Sequence, residues 1–239
     1  MEDALTTIPL SRLAISLVPV AVALAIFVRW SLSAWNGLYA TLRMLIQLVA
    51  IGYALSYIFD ASQPYLVLIV LLVMMGAAAW IALRPLGPRT MQRLAVAVAA
   101  IAVSGIATLA LVTQGVLVLD PWYEPRTIIP LAGMIFSAAM NAVSLAAERQ
   151  HAELAANHPP RSARSTAFDA AMIPQVNTLF AVGLVALPGM MTGQILSGVE
   201  PLLAVRYQIM VMAMLFGVSG MSAAMYLVLA ERFGVVGPR

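Results

Sequence analysis

The residues best suited to handle a solute are concentrated in one stretch, Gly183–Met214, which reads GLVALPGMMTGQILSGVEPLLAVRYQIMVMAM. Pro188-Gly189 interrupts an apolar run there. Met190 and Met191 offer thioethers just beyond the break, and Gln194, Tyr207 and Gln208 offer hydrogen-bond donors and acceptors. Non-helical backbone at membrane depth is tolerated only where protein buries it or a watery cavity faces it. Interrupted helices of this kind often mark the binding site of a transporter. The chemistry these residue types can do is therefore binding and passage, not bond making. Tyr207 and Gln208 also suit the membrane interface, where they would act as anchors.

Other polar groups lie within apolar segments. Arg43 and Gln47 are one helical turn apart and share a face. Arg43 sits near a helix end, where it can snorkel, while Gln47 lies deeper. Both are candidates for a polar pathway. Gly133 and Ser137 form a small-xxx-small spacing that permits close helix approach, with Asn141 on the same stripe. Gln175, Asn177 and Thr178 follow Pro174, which frees a backbone carbonyl that they can help satisfy, and Asn177 and Asn141 are further candidates for the substrate pathway.

Several chemistries are excluded or disfavoured. Thioethers suit Cu(I), but fifteen methionines spread through the chain point to adaptable packing. Histidine occurs only as His151 and His158, neither with a second ligand at convincing spacing, so no metal site is expected. Intramembrane proteolysis would need a histidine near a serine or a pair of aspartates at membrane depth; Asp60, Asp120 and Asp169 all fall in expected loops. No Gly-Lys-Ser/Thr phosphate loop is present. An enzyme is not expected, and ATP-driven transport would need ATP bound by a separate subunit. Cysteine is absent, which excludes disulfides and thiolate chemistry.

The elements that must position these groups are spanning helices. Of the 239 residues, 62% are hydrophobic and 10% charged, against roughly 45–50% and 25% in soluble domains. The expected fold is all-α, a polytopic integral membrane protein in one domain over 1–239. About seven segments are long enough to span: Leu13–Val28, Leu38–Phe59, Tyr65–Leu83, Leu94–Leu119, Thr127–Ala147, Ala171–Leu196 and Leu202–Ala230. Pro19 is placed to kink the first, and Pro174 and Pro188 to split the sixth. The N-terminus lacks the basic start of a cleaved signal peptide, so the first segment is expected to be retained.

All thirteen basic residues are arginines. With the N-terminus outside, ten fall inside (Arg29, Arg43, Arg84, Arg89, Arg93, Arg149, Arg161, Arg164, Arg232 and Arg239) and Arg12, Arg126 and Arg206 outside. The bias predicts an N-out, C-in topology. Scattered at helix ends, these arginines read as topology determinants rather than a nucleic-acid surface. The longest loop, 148–170, is then cytoplasmic. Glu148–Ala156 is expected to prolong the fifth helix, Asn157-His158-Pro159-Pro160 to end it, and Thr166-x-x-Asp169 to cap the sixth.

At this point the residues are similar to a known family. Arg43-x-x-x-Gln47-Leu48, Gly52-Tyr53-x-Leu55-x-Tyr57-Ile58-Phe59, Pro130-x-x-Gly133-Met134 and Ala171-Met172-Ile173-Pro174 occur in its order. They continue with Val182-Gly183-Leu184-Val185-x-Leu187-Pro188-Gly189-Met190-Met191-x-Gly193, Gly198-x-x-Pro201 and Ala204-x-x-Tyr207-Gln208-Ile209-x-Val211. The chain resembles the FetB-type permease family of ABC transporters, described as iron exporters in bacteria and related to plant aluminium-tolerance membrane subunits. The resemblance covers most of the chain from the second segment on, and the Leu-Pro-Gly-Met-Met and Tyr-Gln runs are its specific parts.

What the resemblance implies is a permease in the cell inner membrane, working as a homodimer with a cytosolic ABC ATPase and exporting a metal ion or small solute. Pro188-Gly189 would then be a gate, and Glu148, Arg149, Glu153, Arg161 and Arg164 would lie in the ATPase-coupling loop. Two departures stand out. Ser137-Ala138-Ala139-Met140 replaces a Gly-Asn-Ala-Met run, and the cytoplasmic stretch is shortened to His151–Arg164 without the family's Leu-x-Leu-Gly-Ala run. The alternative is a membrane scaffold, or a permease relative without ATPase coupling.

Overall fold

The computed structural model describes residues 8–61, 63–87 and 90–235, which form two compact units, one up to Ala61 and one from Ser62 onward. Arg89, Arg239, Glu2 and Asp3 lie outside the described residues, as does the side chain of Asp60. Among the described residues there is no β-strand. Six helical stretches among them are long and apolar enough to cross a membrane. The protein is an all-α, multi-pass membrane protein.

The first unit holds α1 (Leu10–Ile15), α2 (Val18–Arg29) and α3 (Ala34–Ala61). The break after Ile15 falls just before Pro19, which occupies the first turn of α2, where its missing N–H costs nothing. The α2–α3 hairpin closes tightly at Gly37, where a Cβ would come within 2.7 Å of Leu24 Cδ2.

The second unit comprises α4 (Pro64–Ala82), α5 (Met91–Ala110, prolonged by a π turn over Leu111–Val116), α6 (Pro125–Ala155), α7 (Pro160–Ala181), α8 (Gly189–Leu196) and α9 (Pro201–Arg232). Small residues draw these helices together, as they do wherever lipid supplies no hydrophobic drive. Ala142 and Ala146 of α6, Ala167 and Ala171 of α7, and Ala223 and Leu227 of α9 form one buried cluster. On α5 the buried hydroxyls of Ser104, Thr108 and Thr113 each donate to the carbonyl four residues back, at 2.6, 2.8 and 2.9 Å. Polar groups are thereby satisfied without a partner helix.

Two ends can be told apart. At the arginine-rich end, Gln92 Nε2 and Arg93 Nε of α5 donate to the carbonyls of Phe233 and Val235, just past α9. The α6–α7 connection lies there too. The opposite end gathers the residues after α5, the start of α6, the end of α8 and the start of α9.

Two expectations change, and a third, the interrupted sixth segment, holds at Pro188-Gly189 but not at Pro174. Residues 148–170 are helical except for a connector over Ala156–Pro159, because α6 runs on to Ala155 and α7 already begins at Pro160. Thr166 and Asp169 therefore lie inside α7 and cap nothing; Pro160, with φ fixed at a helical value, starts the helix instead. The sixth segment, Ala171–Leu196, is not one span. It continues smoothly through Pro174 and breaks at Val182–Pro188, where Gly183 takes φ +81. Pro188 then leads into α8, and its carbonyl accepts from the N–H and hydroxyl of Thr192.

Candidate functional site

The break between α7 and α8 is stabilised locally before it serves any site. The Ala181 carbonyl accepts from the N–H groups of Leu184, Val185 and Ala186, and Gly183 donates back to Ala186. The N–H groups from Val182 to Ala186 are thus all engaged within the turn and the end of α7. The turn displaces α8 from the line of α7 and packs it against α9, and cavities open on either side.

One cavity, of about 490 Å³, lies at the opposite end between α6, α8 and α9. Met190 and Gln194 of α8, Tyr207 and Met210 of α9, and Arg126, Thr127, Pro130 and Met134 of α6 line it, with Leu117 and Leu119 from the segment after α5. The second, of about 430 Å³, is lined by Leu179 and Val182 at the end of α7, by Pro188 and Met191, and by Gln208 and Met212 of α9. Gln208 is only 6% exposed, yet its Oε1 has no hydrogen-bond partner; Gln194 Oε1 is likewise buried and unpartnered. An unmade bond to a buried acceptor costs about 1–3 kcal/mol, so both carbonyls are poised for a donor or a cation.

The fold thus brings Met190, Gln194 and Tyr207 together on one cavity, and Pro188, Met191 and Gln208 on its neighbour. Gly189 opens α8 between them. Asn141 and Asn177 are exposed on α6 and α7 and line neither cavity, and Ser137 is exposed beside Asn141. Arg43 and Gln47 lie on the exposed surface of α3 in the first unit. Arg126, Thr127, Met134 and Met210 were not singled out from sequence as pathway residues. Arg126 and Thr127 read as helix-end residues and the methionines as packing, and only the approach of α6 to α8 reveals them.

The arginine-rich end holds a second polar constellation. Arg149 pairs with Glu153 at 2.6 Å one turn on, and His158 of the connector reaches the same carboxylate. Arg164 Nη1 donates to Glu231 Oε2 at 2.9 Å and Gln150 Nε2 to Glu231 Oε1 at 3.3 Å, tying α7 and α6 to the last turn of α9. Arg161 and Arg164 border a groove of about 420 Å³ with Phe168 and with Leu227 and Val228 of α9. Glu148 is exposed. Sequence reading picked out the arginines and glutamates of this end but missed Gln150 and Glu231. Glu231 carried a signal, being the one acid in the long apolar segment that forms α9. Among the described residues no three His, Cys, Asp or Glu side chains gather as a metal site would require.

Residues 10–233 match the model of the family described as "Uncharacterised protein family (UPF0014)". The chain is 35% identical over 202 residues to "UPF0014 membrane protein slr1647" of Synechocystis, covering 74% of this chain and 77% of that one. It is 34% identical over 231 residues to the "Probable iron export permease protein FetB" of Escherichia coli, covering 88% of this chain and 86% of that one. With "Protein ALUMINUM SENSITIVE 3" of Arabidopsis thaliana it shares 27% identity over 201 residues, 78% of this chain and 72% of the relative. No solved structure matches it. The family resemblance read from Leu-Pro-Gly-Met-Met and Tyr-Gln therefore holds across nearly the whole chain, and the chain belongs to the UPF0014 family of multi-pass membrane proteins, which includes a named permease.

Proposed function

We propose that this protein is the membrane permease of an exporter driven by a separate cytosolic ABC ATPase. It works as a homodimer in the cell inner membrane and moves a metal ion or small solute outward. The observation that carries this reading is the course of α9. Its first turns border both cavities, and its last turn is bonded through Glu231 to α6 and α7. At 1.5 Å per residue its 32 residues span about 48 Å, well beyond a hydrocarbon core of about 30 Å. That excess leaves length for the arginine-rich end to project from the membrane, and the charge rule puts that end on the cytoplasmic side in this reading. A push on the α6–α7 hairpin there would be carried along α7 and α9 to the cavities. The iron named for the Escherichia coli relative supports a metal cargo.

The second reading, a scaffold or uncoupled relative, is favoured by one feature. The connector between α6 and α7 is only Ala156–Pro159, a small surface for an ATPase. Purification of the tagged full-length chain from its own cells in mild detergent separates the two. The permease reading expects a stoichiometric nucleotide-binding subunit and its loss on reversing the charges of Arg161 and Arg164. Absence of any ATPase subunit under conditions that keep the chain monodisperse would leave the scaffold reading.

A further inference from the structure

We infer that the cavity between α6, α8 and α9 binds a soft monovalent cation of the Cu(I)/Ag(I) class through the thioethers of Met134, Met190 and Met210. The inference rests on the permease reading and names the solute class of that site. Three helices each bring one methionine to the same cavity, from positions far apart in sequence. Met134, Met190 and Met210 are half-buried around unfilled space. The wall they share also holds Gln194, whose carbonyl oxygen is buried without a donor, and Gln208 repeats the pattern in the next cavity. Acceptors without donors leave room for an electrophile.

The donor set selects which one. Hard divalent cations are held by oxygen ligands, commonly with carboxylates among them; among the described residues no carboxylate lines this cavity, and Arg126 does. Nitrogen and thiolate ligands are missing as well, with no cysteine in the chain and no histidine on the wall. Thioethers bind soft, low-charge ions through polarisability rather than net charge, so a neighbouring guanidinium is tolerated. A neutral set of three sulfurs and one amide oxygen also holds its ion loosely enough to release it, as a transit site must.

The test is titration of the purified full-length chain in lipid nanodiscs with Ag(I) in chloride-free buffer, followed by calorimetry. Leucine preserves methionine's volume, so Met134→Leu, Met190→Leu and Met210→Leu keep the packing while removing sulfur. One saturable site is expected, weakened about tenfold or more by each substitution and unmoved by Met225→Leu, which lies outside the cavity. X-ray absorption of the Ag(I)-loaded wild type provides a readout independent of any variant's folding; sulfur neighbours support the site, and nitrogen or oxygen neighbours alone overturn it. Lack of a saturable site, or equal affinity in the triple leucine variant, also overturns it. So does saturable binding of phosphate at this cavity that Arg126→Gln removes. None of these measurements needs the ATPase: failure of Ag(I) binding with an ATPase bound removes only the solute class, and Ag(I) binding with no ATPase removes only the export reading.

Discussion

Replacing Glu231 by alanine should destabilise the arginine-rich end by more than the loss of its ion pair. Two bonds converge on this carboxylate, and they differ in what is left behind. The pair with Arg164 joins side chains 24% and 39% exposed; both can rehydrate, so Arg164→Ala should cost about 0–1 kcal/mol. The bond from Gln150 is another matter. That side chain is fully buried, its Oε1 already lacks a partner, and without Glu231 its amide N–H would be orphaned as well, at about 1–3 kcal/mol. Glu231→Ala should therefore cost about 1–4 kcal/mol in all, and Glu231→Gln, which keeps an acceptor for Gln150, should cost less. Gln150→Leu removes a half-satisfied buried amide and should be close to neutral. In the Glu231→Ala background it should recover most of the orphaned-amide cost.

The assay is the thermal midpoint of the purified full-length chain in one detergent at one scan rate, because unfolding of such a protein is governed by kinetics. A cost near 2 kcal/mol corresponds to about 4–8 °C for a chain of this size. The reasoning is refuted if Arg164→Ala lowers the midpoint as far as Glu231→Ala, or if Gln150→Leu deepens the loss in the double variant. Either result would put the energy in the ion pair rather than in the buried amide.

Two further outcomes follow from the break and from the charge pattern. Gly183→Ala should lose about 1–2 kcal/mol from backbone strain alone, since its φ is +81 and nothing lies within 4 Å of an added Cβ. Gly189→Ala, at an ordinary φ in the first turn of α8 with equally open space, should be neutral or stabilise by up to about 1 kcal/mol; thermal midpoints of opposite sign check the pair. The cysteine-free sequence also permits single-cysteine topology mapping. N-out, C-in predicts that Ser197→Cys reacts with an impermeant maleimide in intact cells and that Ser162→Cys reacts only after permeabilisation. The reverse pattern overturns the orientation.

Helix existence was legible in the sequence because a spanning helix announces itself by length and apolarity alone. Helix faces were not. In water, the buried stripe of a helix differs from the exposed one in hydrophobicity, but in lipid both are apolar and the periodic signal fades. Gly133, Ser137 and Asn141 looked like a packing stripe for this reason. In the fold Gly133 does approach α4, where an added Cβ would lie 3.2 Å from Met74 Cε, whereas Ser137 and Asn141 are exposed. The α6 contacts with α7 and α9 run instead through Ala142 and Ala146. Small residues were the right signal, but alanine is too common in such a chain for one stripe to stand out.

The break in the sixth segment was legible at Pro188-Gly189, where α8 begins; that the turn already starts at Val182 and that Pro174 leaves the helix intact has a physical cause. Proline removes one N–H and crowds one carbonyl, and neighbouring groups can absorb both within a membrane helix. At Pro174 the helix continues, with Thr178 Oγ1 donating to the Pro174 carbonyl at 2.7 Å. A glycine held at positive φ turns the chain in a way that side-chain-bearing residues adopt at a cost, so Gly183 ends α7 while Pro188 only leads into α8. The consequence reaches the cavity. Because the helix breaks over Val182–Pro188, α8 is set against α9 with Met190 and Gln194 sharing one cavity with Tyr207 and Met210. Had the helix run on unbroken from Pro174 to Leu196, Met190 and Gln194 would have stayed in line with α7, and the cavity they share with Tyr207 and Met210 of α9 would not have formed in this way.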